Sequence, residues 1–267
     1  MSERVEIETV DVGQGGRRPL RADLYRPPTP NGAGVLLVHG GSFVNGDRSQ
    51  LRGYGIALGR IGYTSLACEY RLAREATWPA QIDDVHTALA YFHDQAPSLG
   101  LDPAKIVVSG HSAGGCLALL AAGTGERPVA ATVAFYPPVD FLGDYARALG
   151  APQAMAFLLG DDVSETRLAS LSPLTLAGPQ FPPTLLVTGN RDELVDCGES
   201  LKMYLALIAS GASAEIHIFD GQPHAFDLQP AFGRQCAGIV SLFLDSHVLG
   251  SPATVLPTQP QAPAQIA

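Results

Sequence analysis

The chain has 267 residues, with 17 Lys and Arg against 26 Asp and Glu, for a formal charge of −9. A hydrophobic share of 46% with 16% charged residues is a globular composition at a length that one domain can bury. The acidic balance argues against the basic face that a nucleic-acid backbone or an anionic membrane surface requires, so small neutral molecules are the expected ligands.

At the start, Met1 to Glu6 is charged where a signal peptide would place its apolar core, and a cytoplasmic location is expected. Residues 4 to 12 and 20 to 27 alternate apolar and polar positions around Gly13-Gln14-Gly15-Gly16, which predicts an antiparallel pair at a sheet edge. Beyond it come five short, nearly continuous apolar runs: Gly34 to Val38, Tyr63 to Cys68, Lys105 to Ser109, Ala131 to Phe135 and Pro183 to Val187. Such runs suit strands buried on both faces, as in a parallel sheet. Helical stretches over 48–61, 79–96, 113–124 and 197–210 lie between or after them, and a last strand is expected at Ala214 to Phe219. Repeated strand and helix predict a doubly wound α/β layer in a single domain over residues 1–250.

Two segments break this rhythm. Residues 139–178 exceed what one crossover needs and contain helical pieces at Asp144 to Leu149, Gln153 to Leu159 and Glu165 to Ser170. They are read as an insertion over the sheet that walls a pocket, because ligands bind outside the carboxyl ends of parallel strands. The sequence leaves open which of Phe141, Leu142, Phe157 and Leu158 line it. The tail, residues 251–267, is Pro- and Gln-rich without charge and is expected to be disordered. No run approaches the roughly 18 apolar residues of a membrane span. Cys68, Cys116, Cys197 and Cys236 are scattered without a C-x-x-C pair and read as separate thiols, not a zinc site or a disulfide frame.

The chemistry centres on Gly110-His111-Ser112-Ala113-Gly114, a G-x-S-x-G between a buried-strand pattern and an apolar helix. Small residues there allow a strained turn that raises Ser112 toward substrate. A serine needs a base beside it and donors for the oxyanion. The loop His39-Gly40-Gly41-Ser42 supplies candidate donors, the N–H groups of Gly40 and Gly41 joined by that of Ala113, with His39 holding the loop. The expected order is Ser, acid, His. His224, after the last strand, is the candidate base, and the loop Arg191 to Asp196 carries the acid. Asp192 is the first choice, Asp196 competes as acid or as helix cap, and Glu193 faces away. His86, His93, His111 and His217 are given surface or packing roles.

Together, H-G-G at 39–41, G-H-S-A-G-G at 110–115, R-D-E-L-V-D at 191–196 and H-A-F at 224–226 resemble the α/β-hydrolase superfamily. Within it the chain is similar to the hormone-sensitive-lipase-like and acetyl-esterase group, whose D-Y-R-L-A and F-P-A stretches correspond to Glu69 to Ala73 and Trp78 to Ala80. Ser42 and His111 stand where that group often has glycine and aspartate. The resemblance implies a mostly parallel eight-stranded sheet with helices on both faces, and a serine carboxylesterase acting on short-chain esters through an acyl-enzyme, with Ser112, Asp192 and His224 as triad. It implies no metal or organic cofactor. The short segment before His39 points to the small carboxylesterase, feruloyl or acetylxylan esterase-like branch. It is also similar to arylformamidases, which usually show H-G-G-x-W where this chain has Phe43, so an amide hydrolase using the same triad is the alternative. A ligand-binding scaffold without activity is a third. A homodimer through an open edge at Ala214 to Phe219 is a further expectation.

Overall fold

The computed structural model describes residues 4–143 and 152–250. The expected helix at Asp144 to Leu149 and the tail at 251–267 fall outside these residues. Eight strands form one sheet in the order β1-β2-β4-β3-β5-β6-β7-β8: β1 (Glu6–Gly15), β2 (Arg18–Arg26), β3 (Gly34–Val38), β4 (Thr64–Cys68), β5 (Ile106–His111), β6 (Ala131–Phe135), β7 (Thr184–Gly189) and β8 (Ala214–Phe219). The first two pairings, β1 with β2 and β2 with β4, are antiparallel, and all others are parallel.

Seven α-helices are present among the described residues: α1 (Arg52–Arg60), α2 (Ala80–Gln95), α3 (Ala113–Thr124), α4 (Pro152–Leu159), α5 (Glu165–Leu171), α6 (Cys197–Ser210) and α7 (Pro230–His247). The strands explain why two layers of them are needed. In β3, Val35 and Leu37 join a core with Leu58 of α1 and Val240 and Leu244 of α7, whereas Leu36 and Val38 join one with Val85 and Leu89 of α2 and Leu117 of α3. Successive side chains of a strand point to opposite faces, so apolar residues at every position require cover on both. On the α3 side, Met203 and Leu207 of α6 continue the packing against Leu119 and Leu186. None of the described helices is long and apolar enough to cross a membrane.

Two local details differ from the sequence reading. The hairpin is longer than expected, because β1 runs on through Gly13 and Gly15 and β2 starts at Arg18, leaving a turn at Gly16 and Arg17, with a register shift between Asp11 and Gly13. A bulge absorbs the extra residue without ending the ladder. The helix expected over 48–61 divides into a 3₁₀ turn at Arg48–Leu51, capped by the Asp47 side chain on the Ser49 N–H, followed by α1. Helix α6 matches its expected bounds: Asp196 accepts from the Gly198 N–H at its start and Gly211 takes the left-handed conformation at its end.

Candidate active site

Strand β5 delivers the nucleophile elbow. Ser112 follows it at φ 55°, ψ −121°, and α3 begins at the next residue. For a non-glycine residue this backbone is strained, and it persists only where the surroundings leave no alternative. They leave none here. A Cβ on Gly110 would lie 2.0 Å from the Gly114 carbonyl oxygen, and one on Gly114 would lie 2.1 Å from the Val38 carbonyl oxygen. The turn therefore closes only with glycine at both positions. Ser112 is pinned by its N–H to the Phe135 carbonyl (2.9 Å), and its own carbonyl accepts from the Cys116 N–H (3.0 Å).

Ser112, His224 and Asp192 come from three separate strand ends and meet in one line. The Ser112 hydroxyl lies 3.0 Å from His224 Nε2, and His224 Nδ1 lies 2.6 Å from Asp192 Oδ2. The carboxylate accepts at Nδ1, so the proton sits there and Nε2 is left as the acceptor for the serine hydroxyl. Asp192 is held by its own loop, since Oδ1 accepts from the N–H groups of Leu194 and Val195 at 2.9 Å each. Its side chain is fully buried while the imidazole is 16% exposed, a geometry that admits substrate to the ring and excludes water from the carboxylate. The two loops are tied to each other by the Arg191 N–H on the Gln222 carbonyl (3.0 Å) and the Gly221 N–H on Asn190 Oδ1 (2.7 Å). Of the competing acids, Asp196 caps α6 and Glu193 is exposed.

The loop after β3 lies against the elbow. A Cβ on Gly40 would stand 2.8 Å from the His111 carbonyl oxygen and 3.2 Å from the Ser112 Cβ, so this close approach again requires glycine. The Gly40, Gly41 and Ala113 N–H groups donate to no turn, loop or cap acceptor among the described residues. His39 stacks on Tyr70 with ring centroids 4.3 Å apart and donates from Nδ1 to the Gly40 carbonyl (2.8 Å), while the Tyr70 hydroxyl donates to the His39 carbonyl (3.1 Å). Burial pushes the His39 pKa below its usual value, so the ring acts as a neutral brace.

Two chambers open at Ser112 and His224. The smaller, about 40 Å³, is walled by Phe43, Phe141, Ala154, Met155, Leu194 and Val195. The larger, about 330 Å³, runs past Gly40, Gly41, Gln50, Leu51 and Leu228. Of the four insertion residues the sequence left open, Phe141 lines the small chamber; Leu158 is buried in the core, Leu142 is exposed, and Phe157 is exposed beneath the Arg74 guanidinium, 4.5 Å from its ring. Ala154 and Met155 come from α4, which Trp78 holds through its N–H on the Leu158 carbonyl (2.7 Å), while its indole Nε1 donates to Ser170 Oγ on α5 (2.9 Å). His111 is buried, and its Nε2 lies 3.1 Å from the carboxylate of Asp227, a residue that the sequence reading did not single out. No group of three or more His, Cys, Asp or Glu side chains among the described residues is arranged to hold a metal ion.

A mostly parallel eight-stranded sheet with a strained serine turn after β5 and an acid and a histidine after β7 and β8 defines an α/β-hydrolase. The comparison with solved structures agrees. The chain superposes on a bacterial heroin esterase with a TM-score of 0.80 at 27% identity, covering 92% of this chain and 85% of that one. It superposes on a hyperthermophilic esterase from the archaeon Pyrobaculum calidifontis with a TM-score of 0.76 at 28% identity, covering 90% and 83%. The BD-FAE family model matches residues 22–207, and the chain belongs to that family. Esterase LipQ of Mycobacterium tuberculosis is 29% identical over 90% of this chain and 63% of its own length. Carboxylesterase NlhH of the same organism is 32% identical over 70% of this chain and 61% of its own. The chain thus spans about three-fifths of the length of these curated relatives.

Proposed function

We propose that the chain is a serine carboxylesterase that hydrolyses short-chain esters through an acyl-enzyme. The observation that carries this is the line of two hydrogen bonds, 3.0 and 2.6 Å, joining Ser112 to His224 and His224 to Asp192. Its relatives named as esterases support it. Ser112 Oγ attacks the ester carbonyl carbon while its proton passes to His224 Nε2. Asp192 holds the imidazole tautomer and stabilises the cation that forms. The tetrahedral oxyanion lies against the N–H groups of Gly40, Gly41 and Ala113, which need no reorganisation as charge develops. His224 returns the proton to the leaving alcohol, then takes one from water, which attacks the acyl carbon and frees the acid and Ser112.

The chamber sizes support an acyl limit. The small chamber, walled by Phe43, Phe141 and Met155, suits a short acyl group, and the alcohol takes the larger side. No metal or organic cofactor enters this chemistry. Residues 1–250 act as one domain in this reading, the location is cytoplasmic, and copies pair through β8 and α6, where Ile218, Leu201, Leu205 and Ile208 are exposed. A panel of p-nitrophenyl esters from acetate upward, with a fluorophosphonate label, tests the activity. Turnover of the acetate with loss of roughly four orders of magnitude and of labelling in Ser112→Ala is expected. Near-normal hydrolysis by Ser112→Ala would overturn it, and faster turnover of an N-formyl aromatic amine than of the esters would favour amide hydrolysis.

A further inference from the structure

A second carboxylate and imidazole lie beside the first pair. Asp227 follows His224 by three residues on the same loop, and His111 precedes Ser112 by one. Asp227 Oδ2 lies 3.1 Å from His111 Nε2, and Oδ1 accepts from the Tyr136 hydroxyl at 2.7 Å. Tyr136 in turn packs its ring on the His224 imidazole, with centroids 4.5 Å apart. His111 is stacked flat on Phe135 at 4.4 Å and edged by Tyr54 at 5.0 Å, so its ring cannot turn. One buried carboxylate thereby ties together the loop that carries His224, the aromatic ring beneath that histidine, and the residue next to Ser112.

The protonation states follow from who can donate. His111 Nδ1 is buried without a partner, which is cheaper for a bare acceptor nitrogen than for an N–H, so the proton sits on Nε2 and is donated to Asp227. The carboxylate accepts on both oxygens and is anionic. Burial by itself would raise its pKa, but the hydrogen bonds donated by His111 and Tyr136 hold it below the usual value.

We propose that Asp227 and His111 are positioning residues that set the separation of Ser112 and His224. The proposal rests on the esterase reading above. Asp192 fixes the rotation and tautomer of His224, but it sits on the loop after β7 and makes no contact with the elbow residues among the described hydrogen bonds. Asp227 supplies that link. Without it, the one hydrogen bond between the His224 loop and the elbow among the described residues is the 3.0 Å contact between base and nucleophile themselves, beside the non-directional ring contacts of Tyr136. A displacement of about 1 Å at such a contact costs on the order of a hundredfold in rate.

The test is kcat per active site, with sites counted by fluorophosphonate titration, for Asp227→Asn, His111→Leu, the double variant and Tyr136→Phe. Counting sites removes any loss that comes from unfolded protein. Expected is a kcat per site lower by about 10- to 100-fold in either single variant, with KM within about threefold and with no further loss in the double, because the two residues act through one contact. His111→Gln, which keeps a donor for the carboxylate, should recover part of the rate. Tyr136→Phe deletes one hydroxyl and leaves the ring on His224, so it reports even if the charged variants fold poorly, and a loss of about three- to tenfold is expected. A kcat per site within twofold of wild type in Tyr136→Phe and in whichever other variants fold, or additive losses in the double, would overturn the proposal. If wild type labels and turns over and these variants match its kcat per site, only this inference fails; if wild type does neither, the esterase reading fails and takes this one with it.

Discussion

Asp192–His224 and Asp227–His111 are the same chemical pair placed in different surroundings. In both, a buried carboxylate accepts from an imidazole N–H and also from further donors, the Leu194 and Val195 N–H groups for Asp192 and the Tyr136 hydroxyl for Asp227. They differ at the far nitrogen of the ring. His224 is 16% exposed and presents Nε2 to the Ser112 hydroxyl in a cavity, whereas the His111 side chain is 6% exposed, sealed between aromatic rings, with its far nitrogen facing nothing. Access, not the identity of the pair, thus separates an imidazole that can pass a proton from one that holds structure.

The sharpest way to break this comparison is at the exposed pair. Asp192→Asn should leave the fold intact and lower kcat by up to about 10⁴-fold through loss of the correct tautomer. Asp196→Asn, at the residue that caps α6, should leave kcat within about twofold, since asparagine caps equally well. Ester kinetics on both variants decide between the two acids; a reversal of these effects would move the acid role to Asp196.

A smaller effect is expected from the wall that gives His224 its access. Met155→Ala removes side-chain volume from the small chamber and should shift the ratio of butyrate to acetate turnover upward by about 10-fold, within the range of 1–3 kcal/mol that pocket methylenes discriminate. An unchanged chain-length profile would place the acyl group in the larger chamber instead.

The smallest effect concerns imidazoles whose pKa is lowered chiefly by burial. Desolvation lowers the pKa of His39, His86 and His93 from the usual 6.5. The unfolded chain then binds more protons than the native one as the pH falls below that value. Their contribution to stability is whole above about pH 6.5 and drains away on acidification toward the depressed native pKa values. Melting curves should show Tm falling by several degrees between about pH 7 and 5, and His39→Asn should flatten part of that slope. A Tm that holds or rises over this interval would contradict the sign.

How much of this could be read from the chain depends on how far apart the interacting residues are. The five apolar runs of β3 to β7 were legible because both faces of each strand are covered, which leaves no polar alternation to confuse. Helix α6 was legible from Asp196 and Gly211, local signals within one turn of its ends. The hairpin was underestimated, because glycines that usually mark a turn here accommodate a bulge. Phe141 could not be told from Leu142, Phe157 and Leu158 as chamber lining, since all are apolar and only their tertiary packing sorts them. Asp227 gave no signal at all: its partner His111 is distant in sequence, and neither stands at a spacing that implies contact.

The order of residues along the chain determined the strands and helices, the glycines that permit the serine turn, and which serine, histidine and acid are available, because these depend on local sterics and on alternation within a few residues. Only the tertiary structure decided the distances among Ser112, His224 and Asp192, the size of the two chambers, and the pairing of His111 with Asp227. Those depend on where strand ends separated by up to a hundred residues and more come together, and the packing of the two helical layers on the sheet sets that geometry.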